Sequence, residues 1–133
     1  MVSRENVEIV RALFQAFNEG EYGRCFDFID PDVEWEDPRG IPGGGLHRGH
    51  DGVAAWFARW LAAWEHFAVQ AEGFTDAGDH VIVSERLRGT GKSSGVPIDQ
   101  AWVAVYRLRA GRIVRRTDYP DKDAALKAVG MAS

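Results

Sequence analysis

Cysteine is almost absent from this sequence, with Cys25 alone among 133 residues. One thiol closes no internal disulfide, and it leaves any metal site to histidines and carboxylates. Long apolar runs are missing too: nothing approaches the roughly 20 residues that cross a bilayer. So is a basic block, because the 16 Lys and Arg residues are scattered among 20 Asp and Glu, for a net charge of −4. Neither nucleic acid nor a membrane is an expected partner. Met1 to Asn6 carry no apolar segment ahead of a small-residue cleavage site, so a cytoplasmic location is expected. The histidines, at 47, 50, 66 and 80, show no recognisable ligand spacing. No metal and no cofactor are expected.

What is present is the composition of an ordinary globular protein, 45% hydrophobic and 27% charged. A chain of this length suits one domain over residues 1–133, burying about two-thirds of the surface its unfolded form exposes. Val7, Val10, Leu13, Phe14 and Phe17 recur at helical spacing between a Ser3 cap candidate and Gly20. Tyr22 to Ile29 reads as a second short helix, closed by Asp30-Pro31 because the residue before a proline avoids the helical region. Val33 to Asp37 alternates as a short strand with Val33, Trp35 and Asp37 on one face. Two prolines and five glycines between residues 38 and 49 predict a loop that serves as lid or rim. Val53, Trp56, Phe57, Trp60, Leu61 and Trp64 form the stripe of a third helix, with His50 or Asp51 as its cap. Four strands follow, at 67–75, 80–89, 96–109 and 112–119, and a short helix from Asp121 to Val129 closes the chain. Helices first and a meander last predict an α+β fold: a curved, cone-shaped mixed or antiparallel sheet around helices, open enough inside to hold a pocket.

Strand parity then selects polar residues for the interior. Val114 sets the buried face of the last strand and carries Arg116 and Asp118 with it. On strand 80–89, Ile82 and Ser84 share parity with Arg86 and Arg88, against Val81, Val83, Glu85 and Leu87, and both faces are apolar enough to compete. Gln100, Trp102, Ala104 and Tyr106 share one face of the next strand, while Ala101, Val103 and Val105 share the other. That second apolar face is expected to be covered by another copy of the chain in a homodimer. A cluster of Asp37, Arg86, Arg116 and Asp118 inside the cone would need mutual pairing or a wet cavity, because burying an unpaired charge costs several kcal/mol. It is either an ion-pair network or a site.

Asn18-Glu19-Gly20-Glu21-Tyr22 after the first helix, Asp30-Pro31-Asp32-Val33-Glu34-Trp35, Gly49-His50-Asp51-Gly52, and Gly111-Arg112-Ile113-Val114 through Asp118-Tyr119 come in an order that resembles the SnoaL-like polyketide cyclase family. The likeness covers nearly the whole chain. It implies the nuclear-transport-factor-2-like fold, a cystatin-like roll shared with ketosteroid isomerases and limonene-epoxide hydrolases. Asp118 stands where the cyclases and epoxide hydrolases carry an acid–base aspartate, and Asp37 matches the general base of the isomerases. The isomerase tyrosine falls near Leu13 and its second aspartate near Ala104, so the resemblance does not carry steroid isomerisation. Arg86 and Asp118 match two members of the hydrolase Asp-Arg-Asp relay, but Arg88 occupies the third place, and Trp35 and Asp37 replace the residues that hold its water.

The resemblance implies an isomerase, cyclase or lyase that performs cofactor-independent acid–base chemistry on a small apolar or polycyclic carbonyl compound. Asp37, Asp118 and Arg86 are its candidate catalytic residues. Trp35, Gln100, Trp102, Tyr106, Tyr22, His50, Arg116 and Tyr119 are candidate substrate contacts, with His47 a further donor near the rim. A non-catalytic ligand-binding or regulatory module with the same pocket would carry the same sequence features, so fold alone does not choose between them.

Overall fold

The computed structural model describes residues 2–36 and 45–130, with side chains from Glu5 onward. Asp37 lies outside the described residues.

Helix α1 (Val2–Asn18) buries Val10, Leu13 and Phe14 along one stripe. It ends as its sequence prescribes. Gly20 takes φ +79°, its N–H donates to the Phe17 carbonyl, and the Glu21 N–H donates to that of Ala16, which satisfies two terminal carbonyls. Asn18 then meets Val69 on the sheet edge, donating to its carbonyl at 2.9 Å and accepting from its N–H at 3.1 Å. The side chain takes the place of a neighbouring strand at that edge.

The second helix is shorter than the sequence predicts. α2 (Tyr22–Cys25) passes into a 3-10 turn over Phe26–Phe28, and strand β1 (Ile29–Glu36) starts there and runs straight through Asp30-Pro31. Part of the expected loop is also regular: β2 (Leu46–Arg48) pairs antiparallel with β1, opposing His47 to Trp35. Helix α3 (Gly49–Ala63) buries Val53, Trp56, Phe57 and Trp60 and stops one residue before Trp64, which opens the next strand. No side chain caps its start, so the capping role expected of His50 or Asp51 is not used.

Strands β3 (Trp64–Ala77), β4 (His80–Gly91), β5 (Pro97–Arg109) and β6 (Arg112–Tyr119) form the expected antiparallel meander. β1 joins β6 in parallel, which gives one mixed six-stranded sheet in the order β2-β1-β6-β5-β4-β3. The main core lies between α1, α3 and the concave face, around Val10, Val33, Val53, Val81, Val83 and Leu87. The β3–β4 register shifts between Glu65 and Ala68, where His66 takes φ 51°. There the backbone sits so close to Gly89 that a Cβ on that glycine would lie 2.5 Å from the Phe67 Cβ. Glycine at 89 thus permits the bend that sets Phe67 over the sheet.

The outer face of the sheet carries a second, small core of Ile82, Val103, Val105 and Ala125. Helix α4 (Lys122–Ala128), capped by Asp121 accepting from the Ala124 N–H at 2.8 Å, lays Ala125 and Leu126 over it. Burial of Val103 and Val105 is therefore met within the chain, and a partner subunit is not needed to explain it. Among the described residues no helix is long and apolar enough to cross a membrane.

Candidate functional site

The pleat of the sheet brings three side chains into one row across three adjacent strands: Trp35 on β1 opposes Arg116 on β6, which opposes Tyr106 on β5. On the next strand, β4, Glu85 opposes Trp102 of β5. All of these residues line one cavity under the helices. Its volume is about 520 Å³ counting the open mouth. Leu13, Phe14 and Phe17 of α1 close one side and Trp56, Phe57 and Trp60 of α3 the other, with Phe67 and Val69 of β3 at the end. The wall is aromatic and apolar except at Glu85, Tyr106 and Arg116.

Those polar residues form one network. Tyr106 donates its hydroxyl to Glu85 Oε2 at 2.6 Å and accepts from Arg116 Nε at 3.2 Å. Arg116 Nη2 donates to Glu85 Oε1 at 3.3 Å and stands 3.1 Å from Asp118 Oδ1 as an ion pair. Its Nη1 donates to Asp118 Oδ2 at 3.1 Å and to the Glu36 carbonyl at 2.6 Å. These four hydrogen bonds engage all three guanidinium nitrogens. The planes of Trp35 and Tyr106 flank the cation, with ring centroids 5.2 and 5.7 Å from its central carbon. Glu85 and Arg116 are each 2% exposed and Asp118 6%.

Burial disfavours charge on Arg116, but Asp118 first, then Tyr106 and Glu85, outweigh that effect and hold its pKa well above the ordinary arginine value. For Tyr106, burial and then the Glu85 carboxylate push the pKa well above the usual phenol range, so its proton stays on the oxygen that donates to Glu85. Two carboxylates and one guanidinium thus share a closed space.

The expected site residues divide accordingly. Trp35, Trp102, Tyr106 and Arg116 line the cavity, and Asp118 joins them through Arg116 without being among the described lining residues. Arg86 does not face the interior as parity on Ile82 and Ser84 suggested. It lies on the opposite face, with Nη1 2.7 Å from Asp99 Oδ1 and Nε 3.2 Å from Glu72 Oε2, and Arg88 joins Asp99 there at 3.5 Å. The competing face, Val81, Val83, Glu85 and Leu87, is the buried one, and it brings in Glu85, which the sequence reading left out of the site. An acid amid three alternate apolar residues was the signal that could have found it.

The other candidates lie elsewhere. His50 must donate from Nε2 to the Ile29 carbonyl at 2.7 Å, because a carbonyl only accepts, and it packs on Phe26, fastening α3 to β1. Tyr22 packs between Phe17 and Phe57, Gln100 is exposed, and Tyr119 packs against the outer core. His47 Nδ1 is 3.4 Å from Arg59 Nη2 on the surface. Among the described residues no group of three or more His, Cys, Asp and Glu is arranged to hold a metal ion.

The SnoaL-like domain matches this chain over residues 10–116, and the protein belongs to that family. Solved structures agree on the fold. An NTF2-like protein of unknown function from Burkholderia pseudomallei is 25% identical, with 95% of this chain and 98% of that one covered at a TM-score of 0.79. One from Burkholderia thailandensis is 27% identical over 92% and 95% of the two chains, TM-score 0.80. A protein provisionally assigned as a polyketide cyclase, from Xanthomonas campestris, is 19% identical over 98% and 100%, TM-score 0.74, a likeness of fold alone. No curated protein sequence matches this chain.

Proposed function

We propose that the protein is a small-molecule enzyme of isomerase, cyclase or lyase type, performing cofactor-independent proton transfer on an apolar carbonyl compound held in the cavity. The observation that carries this reading is Glu85: a carboxylate on the wall of an aromatic, apolar cavity, each oxygen fixed by one donor and each keeping a further lone pair. Glu85 takes the proton from the carbon next to the carbonyl, the electron pair moves toward the carbonyl oxygen, and the proton returns at the same or a conjugated carbon. Arg116 holds Glu85 in place. Asp118, to which the family resemblance gives the acid–base role, acts here as a positioning residue, because it meets the guanidinium with both oxygens.

A binding or regulatory module is the second reading. It is favoured by the engagement of Arg116 and Tyr106 within the network: the Tyr106 hydroxyl donates to Glu85, and every Arg116 nitrogen already donates to a neighbour. Acetophenone in deuterated buffer separates the two readings without knowledge of the natural substrate. An enzyme of the proposed kind accelerates deuterium incorporation at the methyl group over the protein-free rate. Saturable binding with no acceleration would leave the binding module as the better description.

A further inference from the structure

Tyr106 is held in one orientation. It stands on β5 between the strands that carry Glu85 and Arg116 and is 2% exposed, and its ring meets Phe14 and Trp35 edge-on, each with its centroid 6.1 Å away. Its two polar partners settle where its proton goes. Arginine only donates, so the phenol oxygen accepts from Arg116 Nε at 3.2 Å and its single proton is left for Glu85 Oε2 at 2.6 Å. The two donors to Glu85 are unequal. The phenol contact has the length of a charge-assisted O–H···O⁻ bond, about 2.5–2.7 Å, whereas Arg116 Nη2 stands 3.3 Å from Oε1, outside the roughly 2.7–2.9 Å of a strong N⁺–H···O⁻ bond, and also meets Asp118. The helices over the cavity line it with Leu13, Phe14, Phe17, Trp56, Phe57 and Trp60, and Ala71 of β3 opposes Glu85. Tyr106 and Arg116, with Asp118 behind Arg116, are the titratable groups of the described wall that meet Glu85.

We infer that Tyr106 is the positioning residue of the site: Arg116 supplies the counter-charge to Glu85, and the Tyr106 hydroxyl fixes the plane of its carboxylate. The inference deepens the proposed function and rests on its assignment of Glu85 as the base. The last torsion of a glutamate side chain is broad, so one long contact to Arg116 leaves the carboxylate free to turn. A short second bond, from a phenol that cannot itself turn, fixes where the remaining lone pairs point. Proton abstraction from carbon depends on that direction, because base and reacting atom must meet in an aligned pose. The same bond favours the carboxylate over the carboxylic acid. Its loss should therefore slow the reaction and also shift its pH dependence, which loss of packing alone would not do.

Deuterium exchange into acetophenone, followed across pH for kcat and KM, is the test. Tyr106→Phe should lower kcat by about tenfold or more, the scale of one hydrogen bond to a charged group, with KM within about twofold. Its half-maximal rate should move to higher pH. Protein grown on 3-fluorotyrosine keeps the ring and the hydroxyl but makes the phenol a stronger donor, so its half-maximal rate should move the other way, to lower pH. Tyr22→Phe and Tyr119→Phe labelled in the same manner should keep that second shift, which assigns it to Tyr106. The fluorinated protein retains every side-chain hydrogen bond, so a misfolded Tyr106→Phe does not block the test. Wild-type kcat and pH profile in a folded Tyr106→Phe, or a fluorinated protein whose profile stays in place or moves to higher pH, would overturn the inference, while loss of exchange in Glu85→Gln would still uphold Glu85 as the base. If the wild-type protein does not accelerate exchange, the proposed function falls and the positioning role with it.

Discussion

Glu85 and Arg116 stand on β4 and β6, which are not neighbours in the sheet, yet their side chains meet at 3.3 Å with 2% exposure each. Tyr106, on the strand between them, hydrogen-bonds to both. Three adjacent strands are therefore tied on the concave face by side chains as well as by backbone ladders.

Removing the cation from this group should be costly. Arg116→Met takes from buried Glu85 and Asp118 the guanidinium that both meet, a change of a kind that destabilises by about 3–5 kcal/mol. Urea unfolding measures it. Arg116→Met combined with Glu85→Gln should lose clearly less than the sum of the two single changes, because the second removes one of the stranded charges. Simple additivity would mean that the two residues do not interact.

Burial pushes the Cys25 thiol up to about 11, with the Glu21 charge adding to the effect. At pH 8 about one molecule in a thousand then carries the reactive thiolate. Iodoacetamide should leave the folded protein unmodified over hours and alkylate it promptly in urea. Rapid modification of the folded chain would contradict the packing around α2.

His80, at the start of β4, has a pKa below its ordinary value: burial lowers it, Asp79 opposes that, and Arg107 adds to it. The unfolded chain then binds a proton more readily than the folded one. Its contribution to stability is full above the unfolded value of about 6.5 and is lost as pH falls through the lower folded value. Thermal unfolding of wild type and His80→Gln should therefore differ in pH dependence across this window, with the variant falling less. Parallel curves would contradict it.

Much of this architecture was legible in the sequence because apolar periodicity carries it: α1, α3, the meander and α4 all follow from spacing alone. The errors fall where local rules were overridden by the sheet. Asp30-Pro31 reads as a stop for α2, but the parallel partner β6 draws the chain into β1 from Ile29 onward. Trp64 continues the α3 stripe by spacing, yet its backbone pairs with Gly91.

The last strand shows a correct site residue reached through a parity that does not hold throughout. Ile113 is fully buried, and the register shifts beside it, so that Leu108 opposes Ile113 while Arg107 opposes Arg115. Val114 is the extra residue, and Arg116 faces inward together with Ile113, not by alternation from Val114. On β4 the two faces were nearly balanced in apolar content, since Ile82 and Val83 are both buried, one under α4 and one under the main core. Composition could not separate them, and Arg86 was placed where Glu85 is.

The central claim, that Glu85 and not Arg86 serves the cavity, is tested most directly by deuterium exchange into acetophenone catalysed by Glu85→Gln, Asp118→Asn and Arg86→Gln beside wild type. Glu85→Gln should lower the exchange rate by about 10² or more, the scale of a lost general base, while acetophenone still binds. Asp118→Asn should cost less, and Arg86→Gln should stay within about twofold of wild type, because its partners are Glu72 and Asp99 on the far face of the sheet. Full exchange activity in Glu85→Gln, or its loss in Arg86→Gln from a folded protein, would contradict the account.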